Sequence, residues 1–270
     1  MSQEPKITFW DHLDELRSVL IRIVGVVVVA ACAAFSLKDQ LFAVIFAAKD
    51  SDFVTYRLLD RVTLFFNKLI YGAEAAAEPI ESFSIELINT QLTQQFTTHI
   101  SVAMWVGVLI AFPYILFELF RFISPALYSN ERRYTSRVVV SGYFMFMVGV
   151  ALSYFLIFPL TFRFLAMYQV SDTVNNMIAM ESYIGTLITL SLMMGVVFEM
   201  PIICWLFAKL GFLSAAFMRE YRRWAIVILL TVAAVITPTA DIVTMLLVTL
   251  PMYALYELSI LIVAGADTKS

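Results

Sequence analysis

Long apolar runs separated by polar and charged stretches are the dominant pattern of this sequence. An α-helix needs about 20 mostly apolar residues to cross the hydrocarbon core of a membrane. Most of the runs approach that length, and they therefore predict an all-α membrane protein with six transmembrane helices. The runs are 19–37, 100–117, 138–162, 182–208, 224–237 and 242–256.

The last two runs form a hairpin, 224–257, whose first arm is unusually short. The 14 residues from Trp224 to Thr237, just before Pro238, reach only about 21 Å as a helix, less than the roughly 30 Å hydrocarbon core. Prolines inside helices remove a backbone hydrogen bond and bend the axis. Such prolines recur along the chain at Pro113, Pro159, Pro201 and Pro251. Bent and partly short helices predict a concave, cupped bundle.

The whole chain, 1–270, is interpreted as a single polytopic membrane domain with two amphipathic segments. The first, 1–18, is predicted to be a helix on the cytoplasmic surface. The second lies in a long extracytoplasmic loop, 38–98, where apolar residues recur at helical spacing over about 53–71.

The distribution of lysine and arginine predicts the orientation. These residues cluster before the first run, between the second and third, and between the fourth and fifth. The loop 167–181 contains none. Because cytoplasmic loops carry the excess of positive charge, both termini are predicted to be cytoplasmic.

Composition and missing motifs argue against several functions. A net charge of −3 gives no indication of a nucleic-acid partner. The two cysteines lie within apolar runs, and the two histidines, His12 and His99, are far apart, so neither pattern indicates a metal site. The sequence has no Gly-rich phosphate loop and no Ser–His pairing that indicates a hydrolase. No catalytic residue, metal or cofactor is therefore expected.

Glu199 is the only charged residue between Ser182 and Ala208, inside the fourth apolar run. A carboxylate in a bilayer costs about 2.5–3.5 kcal/mol on insertion scales, so it calls for a partner, a proton or a wet cavity. We interpret Glu199 as a functional residue, and a packing carboxyl satisfied by a neighbouring helix is the alternative.

Three charged clusters lie at the predicted cytoplasmic ends of the helices. One is His12 to Arg17, where His12 and Glu15 lie off the apolar stripe of the helix. From spacing alone, a solvated helix face at the membrane surface is the better explanation of this cluster. The other clusters are Phe122 to Arg133, which contains Glu131, and Met252 to Glu257. For Glu131, local pairing with Arg132 or Arg133 is the alternative.

These motifs, taken in order along the chain, resemble the TatC family, the receptor subunit of the twin-arginine protein translocase. The resemblance runs from the first predicted helix to the last. It is carried by His12-Leu13-x-Glu15-Leu16-Arg17, Pro125-Ala126-Leu127-Tyr128 to Glu131-Arg132, Phe198-Glu199-x-Pro201, Thr237-Pro238 with Asp241, and Pro251-Met252-Tyr253 to Glu257.

The resemblance implies that Glu15 and Glu131 bind the two arginines of a twin-arginine signal peptide on a folded cargo protein, with Arg17 and His12 beside them. Guanidinium groups favour bidentate, charge-assisted pairs with carboxylates, which lysine cannot reproduce. Further motif positions implied by the family are Pro125, Leu127, Tyr128, Arg132, Pro238, Asp241 and Glu257.

The resemblance also implies partners and a location. Glu199 and Pro201 would contact TatA-type or TatB-type single-span proteins within an oligomeric complex. Transport would be driven by the proton-motive force across a bacterial cytoplasmic (inner) membrane, among its lipids.

An ion-coupled secondary transporter that uses Glu199 as its intramembrane carboxyl is the alternative function. Transporters usually have repeated halves, and the short fifth and sixth runs do not match the long third and fourth. A third possibility, an intramembrane hydrolase, is disfavoured because the sequence lacks the catalytic residue pairs of that class.

Overall fold

The computed structural model describes residues 9–50, 52–71, 86–123, 135–168, 171, 176–237 and 241–267. Within these ranges nearly all of the chain is helical. The helices are α1 Phe9–Phe35, α2 Lys38–Ala47, α3 Val54–Tyr71, α4 Gln94–Ile123, α5 Thr135–Leu152, α6 Phe158–Met167, α7 Met180–Phe198, α8 Met200–Lys209, α9 Ala215–Glu220, α10 Arg222–Ile236 and α11 Ile242–Asp267. A π-helical turn, Ser153–Ile157, joins α5 to α6. Two short parallel strands, β1 Leu87–Ile88 and β2 Ile178–Ala179, pair with each other.

Among the described residues, five helical stretches are long and apolar enough to cross a membrane. They are Leu13–Phe35, Gln94–Phe122, Val138–Met167, Met180–Lys209 and Ile242–Gly265. The remaining predicted crossing is α10, which has only 15 residues. It reaches about 22 Å and is shorter than the hydrocarbon core, as the sequence predicted.

Helices α1 and α4 form an antiparallel pair, and most of the contacts of α1 are with α4. We call the end of the bundle where α1 begins the near end, and the end where α1 finishes the far end. Contacts at the far end, the middle and the near end set the register of the pair: Phe35 with His99, Ala31 with Gly107, and Arg22 with Glu118.

The largest buried cluster of the described chain lies among α4, α5 and α7. Phe112 of α4 stacks on Phe146 of α5, which is fully buried and lies against Gly195 of α7, where an added Cβ would be 2.5 Å from the Phe146 ring. The helices come this close because glycine lies at the contact. A Cβ atom on Gly149 would be 2.6 Å from the carbonyl oxygen of Met194.

Pro159 explains the irregular stretch between α5 and α6. Proline has no N–H to donate to the carbonyl four residues earlier, here that of Phe155, and its ring crowds that carbonyl. The π-helical turn precedes it, and the hydroxyl of Thr55 in α3 donates to the Phe155 carbonyl. A carbonyl left without a donor in an apolar surrounding is costly, so this bond fastens α3 to the third crossing.

Tyrosines from several helices satisfy the carbonyl groups at the end of α2. The last four carbonyls of any helix have no partner within it. Tyr154 donates to Val44 O at 2.6 Å and Tyr183 donates to Ile45 O at 2.8 Å. Tyr56 donates to Pro159 O at 3.0 Å, with a longer contact of 3.4 Å to the carbonyl that follows α2. Burial raises the pKa of the Tyr56 phenol, so it stays a donor at physiological pH.

We expect Tyr183→Phe to lower the free energy of unfolding by about 1–2 kcal/mol. The substitution keeps the ring but leaves the buried carbonyl of Ile45 without this donor. Chemical unfolding of the purified protein in detergent measures the loss. Tyr168→Phe is the control, because that ring is 63% exposed. Equal stability of Tyr183→Phe and the wild type would contradict this role of the hydroxyl.

Gly149→Ala is expected to destabilise the protein by about 1–3 kcal/mol, because α5 and α7 must separate to admit the methyl group. Gly185 lies in α7 with no atom within 4 Å of an added Cβ. Gly185→Ala should therefore leave stability unchanged or raise it by up to about 1 kcal/mol. The same unfolding assay compares the two, and an equal effect would show that the close approach of α5 and α7 is unimportant.

Candidate functional site

Glu199 lies at the junction between α7 and α8. Its N–H donates to Val196 O at 3.1 Å, and its carbonyl accepts from the N–H groups of Ile202 and Ile203, both at 3.0 Å. Pro201 occupies the first turn of α8. N–H groups in the first turn have no acceptor within the helix, so proline costs no hydrogen bond at this position. The crossing is therefore broken into two helices at the position of the carboxyl.

The Glu199 side chain is buried, with 6% of its surface exposed, against Gly142 of α5. A Cβ atom on Gly142 would lie 3.1 Å from Oε2 and 3.5 Å from Oε1, so the missing side chain makes room for the carboxyl. Oε1 has no hydrogen-bond partner among the residues that the structure describes. A buried polar atom without a partner is costly, so the position calls for a donor from elsewhere.

An apolar groove of about 470 Å³ lies among α5, α8 and α11. Pro201 lines it, two residues from Glu199, and so does Ser141, which adjoins Gly142 in the chain. The groove is therefore built on the same turns of α5 and α8 that hold the Glu199 carboxyl. The other lining residues are Val138, Met145, Ile202, Trp205, Leu258 and Ile262.

Glu15 and Arg17 lie in the first turns of α1, at the near end, and both side chains are exposed. Neither forms an ion pair within the described part of the chain. Residues two apart on a helix point to different sides, so Arg17 does not neutralise Glu15. His12 belongs to α1, but its side chain lies outside what is described.

A partly buried ion pair joins α1 to α4, one to two turns further along α1, and the sequence analysis did not single out its carboxylate, Glu118. Arg22 Nη2 lies 2.8 Å from Glu118 Oε2, and Arg22 Nε lies 3.2 Å from Oε1. The hydroxyl of Tyr114 donates to Oε1 at 2.9 Å. One signal was present in the sequence: opposite charges stand at the near-end edges of the first and second apolar runs.

The register of α1 and α4 places Glu15 close to the end of α4. Glu15 lies seven residues before Arg22 on the same side of α1, about 10 Å further toward the near end. Ile123, the last residue of α4, lies about 8 Å beyond Glu118 in the same direction. The chain then continues from α4 into 124–134.

Glu257 and Asp241 secure the two ends of α10 and α11. Arg222 Nη2 donates to Glu257 Oε2 at 2.7 Å, and Tyr253 donates to Oε1 at 2.9 Å. Asp241 Oδ1 accepts from the N–H of Thr244 at 2.7 Å, as an N-cap residue does. Both side chains therefore stabilise the short hairpin.

The remaining predicted site residues lie outside the described residues: Pro125, Leu127, Tyr128, Glu131, Arg132 and Pro238.

Comparison with known proteins supplies the family. The family model of the Sec-independent protein translocase protein TatC matches residues 11–251. A TatC from Blattabacterium sp. subsp. Periplaneta americana is 30% identical over 262 residues, covering 97% of this chain and 96% of the relative. A TatC from Desulforapulum autotrophicum is 33% identical over 259 residues, covering 96% of this chain and 85% of the relative.

Crystal structures of the twin-arginine translocase receptor TatC share the fold. One has a TM-score of 0.72 and 28% identity, and covers 95% of this chain and 99% of its own. A second structure, of TatC in DDM, has a TM-score of 0.72 and 27% identity, and the match covers 93% of this chain and 99% of that structure's chain. The predicted fold class, an all-α multi-pass membrane protein with six helices, is therefore confirmed, while the side on which the termini lie stays a prediction.

The comparisons agree along nearly the whole length of the sequence, and they assign a role in Tat translocation rather than that of a classical enzyme. The resemblance found in the sequence is thus confirmed, and the chain belongs to the TatC family of Sec-independent protein translocase proteins.

Proposed function

We propose that this protein binds the twin-arginine signal peptides of folded cargo proteins and nucleates their translocation, driven by the proton-motive force. The observation that carries the proposal is Glu15, an exposed carboxylate without an ion-pair partner in the described chain. It stands near the end of α4, where the segment containing Glu131 begins.

Two carboxylates are the chemistry that a pair of arginines requires. A guanidinium group donates two parallel hydrogen bonds to one carboxylate, and such bonds are about twice as strong as neutral ones. Lysine offers a point charge without the fork, so the site would favour Arg-Arg over Lys-Lys. Arg17 and His12 would border the pocket on α1, and Pro125, Leu127, Tyr128 and Arg132 would shape the segment around Glu131.

The charge distribution of the whole sequence supports an orientation with both termini in the cytoplasm of a bacterium. The signal peptide would then reach Glu15 from the cytoplasmic side, before the cargo crosses the inner membrane. The sequence has no Gly-rich phosphate loop for nucleotide hydrolysis, which agrees with a proton-motive force as the energy source.

We further propose that the groove lined by Pro201 receives the transmembrane helix of a TatA-type or TatB-type single-span protein in an oligomeric complex. The groove is apolar, as a lipid-embedded helix requires. It is built on the turns of α5 and α8 that hold the Glu199 carboxyl, one oxygen of which lacks a described partner. A polar side chain on the incoming helix would donate to that oxygen, and interhelical bonds of this kind contribute about 0.6–2 kcal/mol.

Glu15→Gln is expected to weaken binding of a signal peptide carrying Arg-Arg by about 10- to 100-fold, because a charge-assisted bond is lost. The preference for Arg-Arg over Lys-Lys should shrink with it. Fluorescence anisotropy of labelled peptides with the purified protein measures both quantities. Glu181→Gln, an exposed carboxyl at the start of α7 on the far end, is the matched control. Equal affinity of the wild type for both peptides would refute the receptor function.

The double variant Glu15→Gln with Glu131→Gln tests whether both carboxylates bind one dipeptide. Residues that act on a shared ligand are not additive. We therefore expect the combined loss to be smaller than the sum of the two separate losses in binding free energy. Strict additivity would place Glu15 and Glu131 in separate sites.

Glu199→Leu is expected to reduce cross-linking of a single-span partner to a photoreactive residue at position 141 by roughly tenfold, since a bond of about 1–2 kcal/mol is lost. Cross-linking in membranes measures this, with Met200→Leu as the control substitution. A probe at Val140, which is 69% exposed on α5 outside the groove, controls for position. Unchanged cross-linking, together with solute uptake that Glu199→Gln abolishes, would instead support the ion-coupled transporter.

A further inference from the structure

The ion pair between Arg22 and Glu118 is the most completely satisfied charged cluster at the near end of the described structure. Both oxygens of Glu118 are bonded, Oε2 by Arg22 and Oε1 by Arg22 and Tyr114. Arg22 Nη1 donates in turn to Ser18 Oγ at 2.8 Å. The Arg22 guanidinium therefore donates two hydrogen bonds to the Glu118 carboxylate and a third to Ser18 in its own helix.

The two side chains of the pair differ in burial. Glu118 exposes 2% of its side chain, whereas Arg22 exposes 41%. A buried carboxylate that loses its cation becomes an uncompensated charge, which is strongly destabilising for the local arrangement. The α1–α4 contact at the near end therefore depends on Arg22 staying in place.

In the described part of the chain, helix α1 has few attachments to helices other than α4. Most of its contacts are with α4, and only 22% of its membrane-crossing stretch is buried. The backbones of α1 and α4 approach closely at Gly107, where an added Cβ would lie 2.8 Å from Ala31 N and 2.9 Å from Val27 O. This close approach can act as a pivot, about 18–24 Å along α1 from Glu15.

The other described contact of the pair, Phe35 with His99, lies on the far side of this pivot, so without a near-end attachment Glu15 would be poorly positioned. A tilt of α1 by about 10° around Gly107 would move Glu15 by roughly 3–4 Å, given a lever of about 18–24 Å. Displacements of about 1 Å already impair sites that rely on directed hydrogen bonds. The Arg22–Glu118 pair lies between the pivot and Glu15, where it prevents this tilt.

We propose that Arg22 and Glu118, supported by Tyr114, are positioning residues for signal-peptide recognition, which fix Glu15 relative to α4. The proposal rests on the proposed function, because it assumes that Glu15 binds a signal-peptide arginine. Arg22 and Glu118 themselves do not contact the peptide.

The experiment compares Arg22→Gln, Glu118→Gln and the charge exchange Arg22→Glu with Glu118→Arg. Affinity for the Arg-Arg peptide is measured as above. We expect each single variant to bind at least tenfold more weakly and the charge exchange to recover to within about threefold of the wild type. Arg22→Lys, which keeps the charge but loses the fork, should bind with intermediate affinity and serves as the test if the single variants fail to fold.

A distance measurement separates positioning from general loss of structure. Nitroxide labels on cysteines at Leu13 of α1 and Arg121 of α4, both exposed, report the separation of the helices at the near end. Cys32 and Cys204 are first replaced by alanine. The distance distribution should broaden in each single variant and narrow again in the charge exchange.

Arg222→Gln is the matched control, because Arg222 and Tyr253 each donate to Glu257 in a comparable cluster between α10 and α11. It should change neither the peptide affinity nor the distance between α1 and α4. A loss of affinity in Arg222→Gln as large as in Arg22→Gln would overturn a specific role for the α1–α4 pair.

The remaining outcomes are distinct. If the single variants bind like the wild type while Glu15→Gln does not, the positioning role is wrong and the proposed function stands. If the single variants lose binding, keep a narrow distance distribution and are not rescued by charge exchange, Glu118 contacts the peptide directly. If the wild type does not prefer Arg-Arg, the proposed function itself fails.

Discussion

The requirement that backbone carbonyls without a partner in their own helix find another donor governs much of this structure. Proline at position 159 removes a donor within the third crossing, and the end of α2 leaves carbonyls without an intrahelical partner. The molecule answers with side chains from distant helices, namely the hydroxyls of Thr55, Tyr154 and Tyr183. These bonds join α2 and α3 to the third and fourth crossings, so the irregular positions of the helices are also the points that connect the bundle.

The four carboxylates at positions 15, 118, 199 and 257 differ in burial and in the number of bonds that they make within the described chain. Glu118 is buried and bonded at both oxygens, and Glu257 is partly exposed and paired with Arg222. Glu199 is buried with one oxygen lacking a described partner, and Glu15 is exposed without an ion pair in the described chain. The first two hold helices together. The last two leave bonding capacity unused, which suits them to ligands from outside.

The sequence predicted the fold well because a membrane imposes a simple rule of length and polarity. The runs that became α4 and α11 were recognisable from composition, and the shortness of α10 followed from the distance between Trp224 and Pro238. The ion pair of Glu118 was not predicted, since it joins residues 96 positions apart and depends on helix register. Gly142 was likewise unremarkable in sequence, because its role is to leave space for a carboxyl on another helix.

The tyrosine bonds to α2 have a consequence for how the chain is assembled. Tyr154 lies 110 residues after Val44 in the sequence, and Tyr183 lies 138 residues after Ile45, so each tyrosine is synthesised well after the carbonyl to which it donates. During synthesis, these tyrosines can therefore bond to α2 only after the third and fourth crossings have been made. The packing of α2 is thus completed by side chains from the second half of the polypeptide.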